Sequence, residues 1–233
     1  ALLAFKIKAE FGDLKPRFSA GYGDLPIEKQ KEIFHLFALG SYDLLDRFIT
    51  RYPDILLETC SGGGGRFDLG MAYYSHQIWA SDETDAIPRT ELQYSYNMFY
   101  PLRMIGAHVS SRKMLTITEK ASIAMFGTFG FELDPTKLSD DQINESYKTS
   151  EIFLRNKDLV DNGDYYSLIS PFDSNFVSWE IVSKDKEKAI VFFFNYRLIN
   201  WRSRFLKIFG LNPKDKYYNN LDNNVYLGAY YMN

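Results

Sequence analysis

The strongest constraint on the fold is an alternation of short apolar runs with longer amphipathic segments over the first two thirds of the chain. Strands are predicted at residues 2–10, 54–59, 77–81 and 103–109, and helices at residues 27–51, 85–96, 119–126 and 139–160. Strands that are connected through helices run parallel and are covered by those helices. The sequence therefore predicts an α/β fold built on a parallel sheet.

The pattern changes after residue 160, where short β-rich runs are separated by turn residues. Residues 178–182 and 189–196 are two such runs, and the charged stretch 183–188 between them is typical of a hairpin loop. We therefore expect two domains, an α/β domain at residues 1–160 and a small antiparallel β-sandwich domain at residues 161–233.

Composition and charge exclude several classes of partner. The net charge is −3 and the basic residues are scattered, which argues against a nucleic-acid partner. The longest apolar runs are far shorter than the ~20 residues of a membrane helix, so no membrane partner is expected. Cys60, the only cysteine, excludes an intramolecular disulfide and favours the cytoplasm. The three histidines, His35, His76 and His108, are scattered, so neither a metal nor another cofactor is expected.

A run of four glycines follows Cys60 and Ser61. Such a run loses much backbone entropy on ordering and is most useful where a group must approach the main chain closely. A phosphate-binding loop would continue into Gly-Lys-Ser/Thr, whereas here the glycines run into Arg66-Phe67-Asp68. A flexible connector is the alternative, and the apolar residues on both sides of the run argue against it. We interpret the run as part of a ligand site.

Asp82 lies in the stretch IWASDETD, residues 78–85. Strand alternation puts Asp82 at the C-terminal tip of a buried strand, where parallel barrels carry catalytic groups. The alternative is that a residue of this stretch only caps the next helix. We favour a cap for Thr84 and Asp85 and a catalytic role for Asp82.

Several long stretches resemble the α-galactosidases of glycoside hydrolase family 36. They occur in the family's order with nearly constant spacing: ETCSGGGGRFD (58–68), YYSHQIWASDETDAI (73–87), YPLRMIGAHVS (100–110), AMFGTFGFELD (124–134), GDYYSLISPF (163–172), VSKDKEKAIVFFF (182–194) and GLNPKDKYY (210–218). The resemblance implies a partial (β/α)8 TIM barrel followed by an antiparallel β domain. A whole barrel takes about 250 residues, so residues 1–160 would form only its C-terminal part.

The resemblance also implies the site residues. Asp82 would be the general acid/base and Glu10 would occupy the position of the nucleophile, while Lys8, Cys60, Ser61, Gly62 and Gly63 would bind substrate. The substrate would be an α-galactoside oligosaccharide such as a raffinose-type sugar, hydrolysed with retention by two carboxylates about 5 to 5.5 Å apart. Structural roles are at least as well supported for four other residues in the matching stretches: Arg66, Asp68, Trp79 and His108.

One departure from the family concerns its Lys-Trp-Asp-x-Asn motif, which carries the nucleophile. Lys8 matches the lysine, but Ala9 replaces tryptophan, Glu10 replaces the nucleophilic aspartate and Gly12 replaces asparagine. We therefore expect weak activity from this chain alone and keep a catalytically degraded, carbohydrate-binding or structural relative as the alternative. A sugar transferase needs the same carboxylates and stays open, as does homo-oligomerisation.

Overall fold

The computed structural model describes residues 26, 29, 32–60, 62–65, 67–112, 114–196 and 206–233. These residues form two compact units. The first takes in the described residues up to Cys60 together with Gly65–Ile78, and the second takes in Gly62–Gly64 together with Trp79–Asn233. The strand predicted at residues 2–10 lies outside the described residues.

The first unit combines two helices with one pair of short parallel strands. Its elements are α1 (Glu32–Arg51), β1 (Glu58–Thr59), α2 (Leu69–Tyr74) and β2 (Gln77–Ile78). The strands are shorter than predicted, because only two residues of each apolar run pair with the other strand. A small core of Leu45, Leu57, Met71 and Ile78 holds the strands against the helices.

A proline sets the end of α1 in this unit, and a capping aspartate sets the start of α2. α1 ends at Arg51, two residues before Pro53, which cannot continue a helix. The sequence pattern missed α2, which is only six residues long. Asp68 is the N-cap of α2, and its side chain accepts a hydrogen bond from the Met71 N–H at 2.9 Å.

The second unit starts with α/β elements. They are α3 (Ala86–Asn97), β3 (Gly106–Ser110), α4 (Ile117–Ala124), β4 (Thr128–Glu132) and α5 (Asp140–Asn162). β3 and β4 pair in parallel across five residues each. Capping boxes begin α4 and α5, with Thr116 and Ser139 as the N-caps. The sequence predicted α3, β3, α4 and α5 within a few residues but missed β4.

The two faces of β3 have different neighbours. Ala107 and Val109 are fully buried and pack against Ile117 and Ala121 of α4. Because side chains alternate along a strand, His108 lies on the opposite face, away from this helix. The face that carries His108 is the one that contributes to the candidate site.

Antiparallel strands make up the rest of the second unit. Their bounds are β5 (Asp164–Ile169), β6 (Phe176–Val182), β7 (Ala189–Asn195), β8 (Lys216–Asn219) and β9 (Asn224–Leu227), followed by the short helix α6 (Gly228–Met232). β5, β6 and β7 form one sheet with β6 in the centre, and β8 and β9 form a separate hairpin. None of the helices in the described part of the chain is long and apolar enough to cross a membrane.

Trp179 of β6 packs between the sheet and the helical elements. It is fully buried, stacks on Phe192 of β7 with ring centroids 4.2 Å apart, and meets Phe126 edge-on at 5.5 Å. Phe126 directly follows the C-cap of α4, so one apolar core spans the helical elements and the sheet. Large aromatic side chains contribute much of the free energy of such a core.

Glu180, next to Trp179, is a carboxylate enclosed in this apolar sheet. It is fully buried, and its strand neighbours are Tyr166 of β5 and Val191 of β7. Its Oε1 accepts a hydrogen bond from the Phe209 N–H at 2.6 Å, while Oε2 has no partner among the described residues. Burial raises the pKa of Glu180 to about 7, although the Phe209 hydrogen bond opposes the shift.

We expect Glu180 to make the free energy of unfolding depend on pH. Below the unfolded-state pKa of 4.5 both states are protonated, so there is no penalty. Between 4.5 and about 7 only the unfolded state ionises, and the stability falls by about 3 kcal/mol, a loss that persists at higher pH. Glu180→Gln should abolish this fall, as measured by denaturant unfolding at about pH 5 and about pH 8.

Glu187→Gln is the matched control, because Glu187 is an exposed acid in the turn between β6 and β7. This variant should keep the pH dependence of the unmodified chain. If Glu180→Gln and Glu187→Gln gave the same pH profile, Glu180 would not be the group responsible.

Candidate active site

Asp82 lies in the loop between β2 and α3, four residues beyond the last residue of β2. Its side chain is exposed. The loop is tightened by side chain to main chain hydrogen bonds: the Glu83 N–H donates to Ser81 Oγ at 3.1 Å, and the Asp85 N–H donates to Glu83 Oε1 at 2.8 Å. The arrangement leaves the Asp82 carboxylate accessible, next to the exposed side chain of Glu83.

Of the two caps considered from the sequence, Asp85 is the N-cap of α3 and Thr84 is not. The backbone of Asp85 is extended, and its side chain accepts a hydrogen bond from the Ile87 N–H at 3.3 Å. Pro88 lies in the first turn, where the missing N–H has little effect. The cap and the proline together fix the end of the loop at Asp85, three residues after Asp82, and the start of the helix at Ala86.

Gly63 lies directly against Asp82. Its φ is +67°, and a Cβ built on it would fall 2.2 Å from Asp82 N and 2.9 Å from Asp82 Cγ. Gly64 has a φ of +90°, and its Cβ would fall 2.1 Å from Ala80 O. Both positions therefore exclude any side chain, and the glycine run is needed for close packing on the Asp82 loop. Gly62 has a φ of +59° but open space around its Cβ position.

Replacing Gly63 with alanine should destabilise the second unit more than replacing Gly62. Both variants place a side chain in a left-handed conformation, which costs about 1–2 kcal/mol. Only Gly63→Ala also clashes with Asp82, which should add about 1–3 kcal/mol. The measurement is the free energy of unfolding of each variant. Equal losses in the two variants would show that close approach to Asp82 is not what requires Gly63.

The other predicted site residues divide into two groups. Cys60 follows β1 in the first unit as a partly buried free thiol. Lys8, Glu10 and Ser61 lie outside the described residues. Within the second unit, the structure therefore brings together Asp82 and Gly63 from the predicted set.

Trp79 and His108 form a cluster that the sequence did not reveal. The Trp79 and His108 rings are 5.0 Å apart, and the guanidinium of Arg89 lies 5.0 Å from the Trp79 ring. His108 Nδ1 is 3.1 Å from Glu132 Oε1 on the neighbouring strand. The side chains thus connect three elements of the second unit beside the Asp82 loop.

Gly130 makes room for this cluster. It pairs with His108 across β3 and β4, and a Cβ on Gly130 would lie 2.9 Å from His108 Cδ2. From the sequence alone, strand alternation predicts that His108 lies on the other face of the strand from Ala107 and Val109. The partner glycine on β4 was not predictable without the strand pairing.

The described residues contain no group of three or more histidine, cysteine, aspartate or glutamate side chains that could hold a metal ion. The site offers the exposed carboxylate of Asp82, a glycine run against the Asp82 backbone and the ring of Trp79 three residues before Asp82. These groups suit proton transfer to or from a ligand held at the loop.

Comparison with known proteins identifies the family. The model of the family Melibiase matches residues 15–163, and the model of the glycosyl hydrolase family 36 C-terminal domain matches residues 176–233. Alpha-galactosidase 1 of Pediococcus pentosaceus is 42% identical over 204 residues, covering 84% of this chain and 28% of that protein. Alpha-galactosidase AgaA of Geobacillus stearothermophilus is 39% identical over 205 residues, covering 84% of this chain and 28% of that protein.

Solved structures agree with the sequence comparisons. The crystal structure of AgaA from Geobacillus stearothermophilus superposes with a TM-score of 0.84 at 38% identity, covering 90% of this chain and 30% of that one. A variant of the same enzyme in complex with raffinose gives a TM-score of 0.84 at 37% identity, covering 89% of this chain and 30% of that one. The chain spans less than a third of the length of these relatives.

The fold prediction is confirmed by these neighbours, since their TIM barrel and C-terminal domain correspond to the parallel α/β elements and the antiparallel strands described above. The melibiase model alone matches more than half of the chain. The protein therefore belongs to glycoside hydrolase family 36, the family of the α-galactosidases.

Proposed function

We propose that this chain carries part of the active site of an α-galactosidase, which releases terminal α-linked galactose from oligosaccharides. The observation that carries the proposal is Asp82, an exposed carboxylate after a parallel strand, with Gly63 packed on its backbone. Asp82 acts as the general acid that protonates the leaving oxygen and then as the base that activates water.

The substrate class is a raffinose-type oligosaccharide. Variants of the Geobacillus stearothermophilus enzyme were solved with raffinose and with stachyose, which supports α-linked galactosides as ligands here. Lys8, Cys60, Ser61, Gly62 and Gly63 bind the galactose unit in this proposal. Their support is the match to the family motifs.

The proposed mechanism retains the configuration at the anomeric carbon. A second carboxylate attacks that carbon, and Glu10 stands at the position of this nucleophile in the motif comparison. Water then hydrolyses the galactosyl-enzyme bond, with Asp82 taking its proton.

The proposed domain boundary lies near residue 160, between the barrel part at residues 1–160 and the β domain at residues 161–233. The two family models support it, since one ends at residue 163 and the other begins at residue 176. We also propose a cytoplasmic location, supported by the free thiol of Cys60.

A chimeric enzyme tests the proposed function. Residues 7–163 of this chain would replace the matching segment of the Geobacillus stearothermophilus enzyme, and hydrolysis of 4-nitrophenyl α-galactoside and raffinose would be measured. Detectable release of galactose is expected, whereas the 233-residue chain alone should remain far below the ~10 per second of an ordinary enzyme. A folded chimera that hydrolyses neither substrate would overturn the proposal.

The alternative is a carbohydrate-binding relative without turnover, and the substitution of Glu10 for aspartate is the observation that favours it. Galactose would then raise the melting temperature of the 233-residue chain, since a ligand that binds only the folded state stabilises it. Binding of galactose together with an inert, folded chimera would support this alternative over the enzyme.

A further inference from the structure

Arg89 is a buried arginine in the first turn of α3. Only 3% of its surface is exposed. Its Nη1 donates to the main-chain carbonyl of Glu83 at 3.2 Å, its Nη2 donates to the main-chain carbonyl of Gly106, and its guanidinium faces the Trp79 ring at 5.0 Å. The described residues place no carboxylate within ion-pair distance of it. Main-chain carbonyls and one aromatic ring therefore hold this cation.

Burial of this guanidinium is unfavourable by itself. Desolvation lowers the pKa of Arg89, and the charges of Glu132 and Glu83 oppose that shift only in part. Nε is also buried with no partner among the described residues. An apolar side chain of similar length would fill the same space without these losses. The presence of arginine at this position is therefore better explained by a role that uses the N–H donors of its planar guanidinium than by packing.

The two carbonyls that Arg89 contacts belong to different elements. Glu83 follows Asp82 in the loop after β2, whereas Gly106 is the first residue of β3. Arg89 therefore links the main chain beside Asp82 to a strand of the α/β part. A Cβ on Gly63 would overlap the Asp82 main-chain nitrogen, so the glycine run packs closely against the backbone of Asp82, which Arg89 also holds through Glu83.

From this geometry we infer that Arg89 is a positioning residue, which fixes the Asp82 loop so that the Asp82 carboxylate is held in place for proton transfer. That Arg89 fixes the loop rests on its contacts alone. That this fixation affects catalysis rests also on the proposed function. Displacement of a reacting group by about 1 Å can slow a reaction about 100-fold, so such a restraint has a measurable effect.

Lys120 of α4 provides a matched comparison. It is 6% exposed, and its Nζ donates to the main-chain carbonyls of Ser110 at 2.9 Å and Arg112 at 2.8 Å. It is thus a second buried cation that holds main-chain carbonyls next to β3. Its carbonyl partners are the last residue of β3 and a residue of the loop that follows, whereas those of Arg89 include the Asp82 loop.

The structural part is tested by amide hydrogen exchange in the 233-residue chain. Arg89→Met should speed exchange of the Glu83 amide about tenfold relative to the β3 amides, and Arg89→Lys should have a smaller effect. Lys120→Met should leave the Glu83 amide unchanged, because the nearby charge of Lys120 acts on Asp85 and Glu145 and not on Glu83. Unchanged exchange in Arg89→Met, or equal acceleration in Lys120→Met, would overturn the inference. If Arg89→Met does not fold, Arg89→Lys decides the question by the same comparison.

The catalytic part is tested in the chimera, with active sites counted by titration with 1-deoxygalactonojirimycin. Per titrated site, Arg89→Met should lower kcat about 100-fold and change KM less than about threefold, and Arg89→Lys should recover part of kcat. Unchanged kcat per site in Arg89→Met would overturn the positioning role. A chimera that is inert with Arg89 intact would instead count against the proposed function, and hydrogen exchange would still decide whether Arg89 holds the loop.

Discussion

Replacing Asp82 with asparagine is expected to lower kcat of the chimera for raffinose by about 10³-fold, within the range typical for removal of a general acid. Asparagine keeps the size and the polar contacts of the side chain but has no acidic proton to give to the leaving oxygen. The close approach of Gly63 should survive, because the Asp82 atoms that a Cβ on Gly63 would meet, the main-chain nitrogen and Cγ, are present in asparagine too. The measurement is release of galactose under saturating substrate.

The leaving group distinguishes a general acid from a residue that only binds substrate. A nitrophenolate leaves with little protonation, whereas the sugar alkoxide released from raffinose needs a proton. Asp82→Asn should therefore impair raffinose hydrolysis at least about tenfold more than the bond-breaking step with 4-nitrophenyl α-galactoside. Equal losses with the two substrates would contradict the general acid role.

Glu83→Gln is the control for this experiment. Glu83 is the next residue of the same exposed loop, and glutamine keeps an oxygen that can accept the Asp85 N–H hydrogen bond. This change removes a charge at nearly the same place and should alter kcat less than about threefold. A loss as large as that of Asp82→Asn would show that loop charge, and not proton transfer by Asp82, limits the rate.

The sequence predicted the part of the site that depends on local chemistry. Asp85 as the cap of α3 follows from its side chain and from the proline in the first turn, and the structure confirms it. Asp82 after an apolar run follows from strand alternation. Such features are set by a few neighbouring residues, so a single sequence is enough to find them.

The contacts that restrain the loop were not predictable in the same way. Arg89 lies in the first turn of a helix, and its two carbonyl partners become apparent only when Glu83 and Gly106 are close in space. β4 was missed because Gly130 interrupts its apolar pattern, and that glycine is explained by the His108 ring on the paired strand. Both features depend on partners distant in the chain.

Changing Glu10 to aspartate is expected to raise kcat of the chimera about 100-fold. The family motif has aspartate at this position, and glutamate is one methylene longer, which displaces the attacking oxygen by a distance of order 1 Å. Misplacement of this size affects the transition state more than the bound substrate, so KM should change less than kcat. The measurement is kcat and KM for 4-nitrophenyl α-galactoside.

Ala9→Trp and Glu10→Gln separate the causes of weak activity. If the shape of the pocket is the main defect, Ala9→Trp should lower KM and Glu10→Asp should leave kcat unchanged. That result would contradict the assignment of Glu10 to the nucleophile position. If attack by this residue limits the rate, Glu10→Gln should remove the remaining activity, because an amide cannot attack the anomeric carbon as a carboxylate does. A gain from Glu10→Asp that disappears when Asp82→Asn is added would require both carboxylates, as a two-step retaining reaction does.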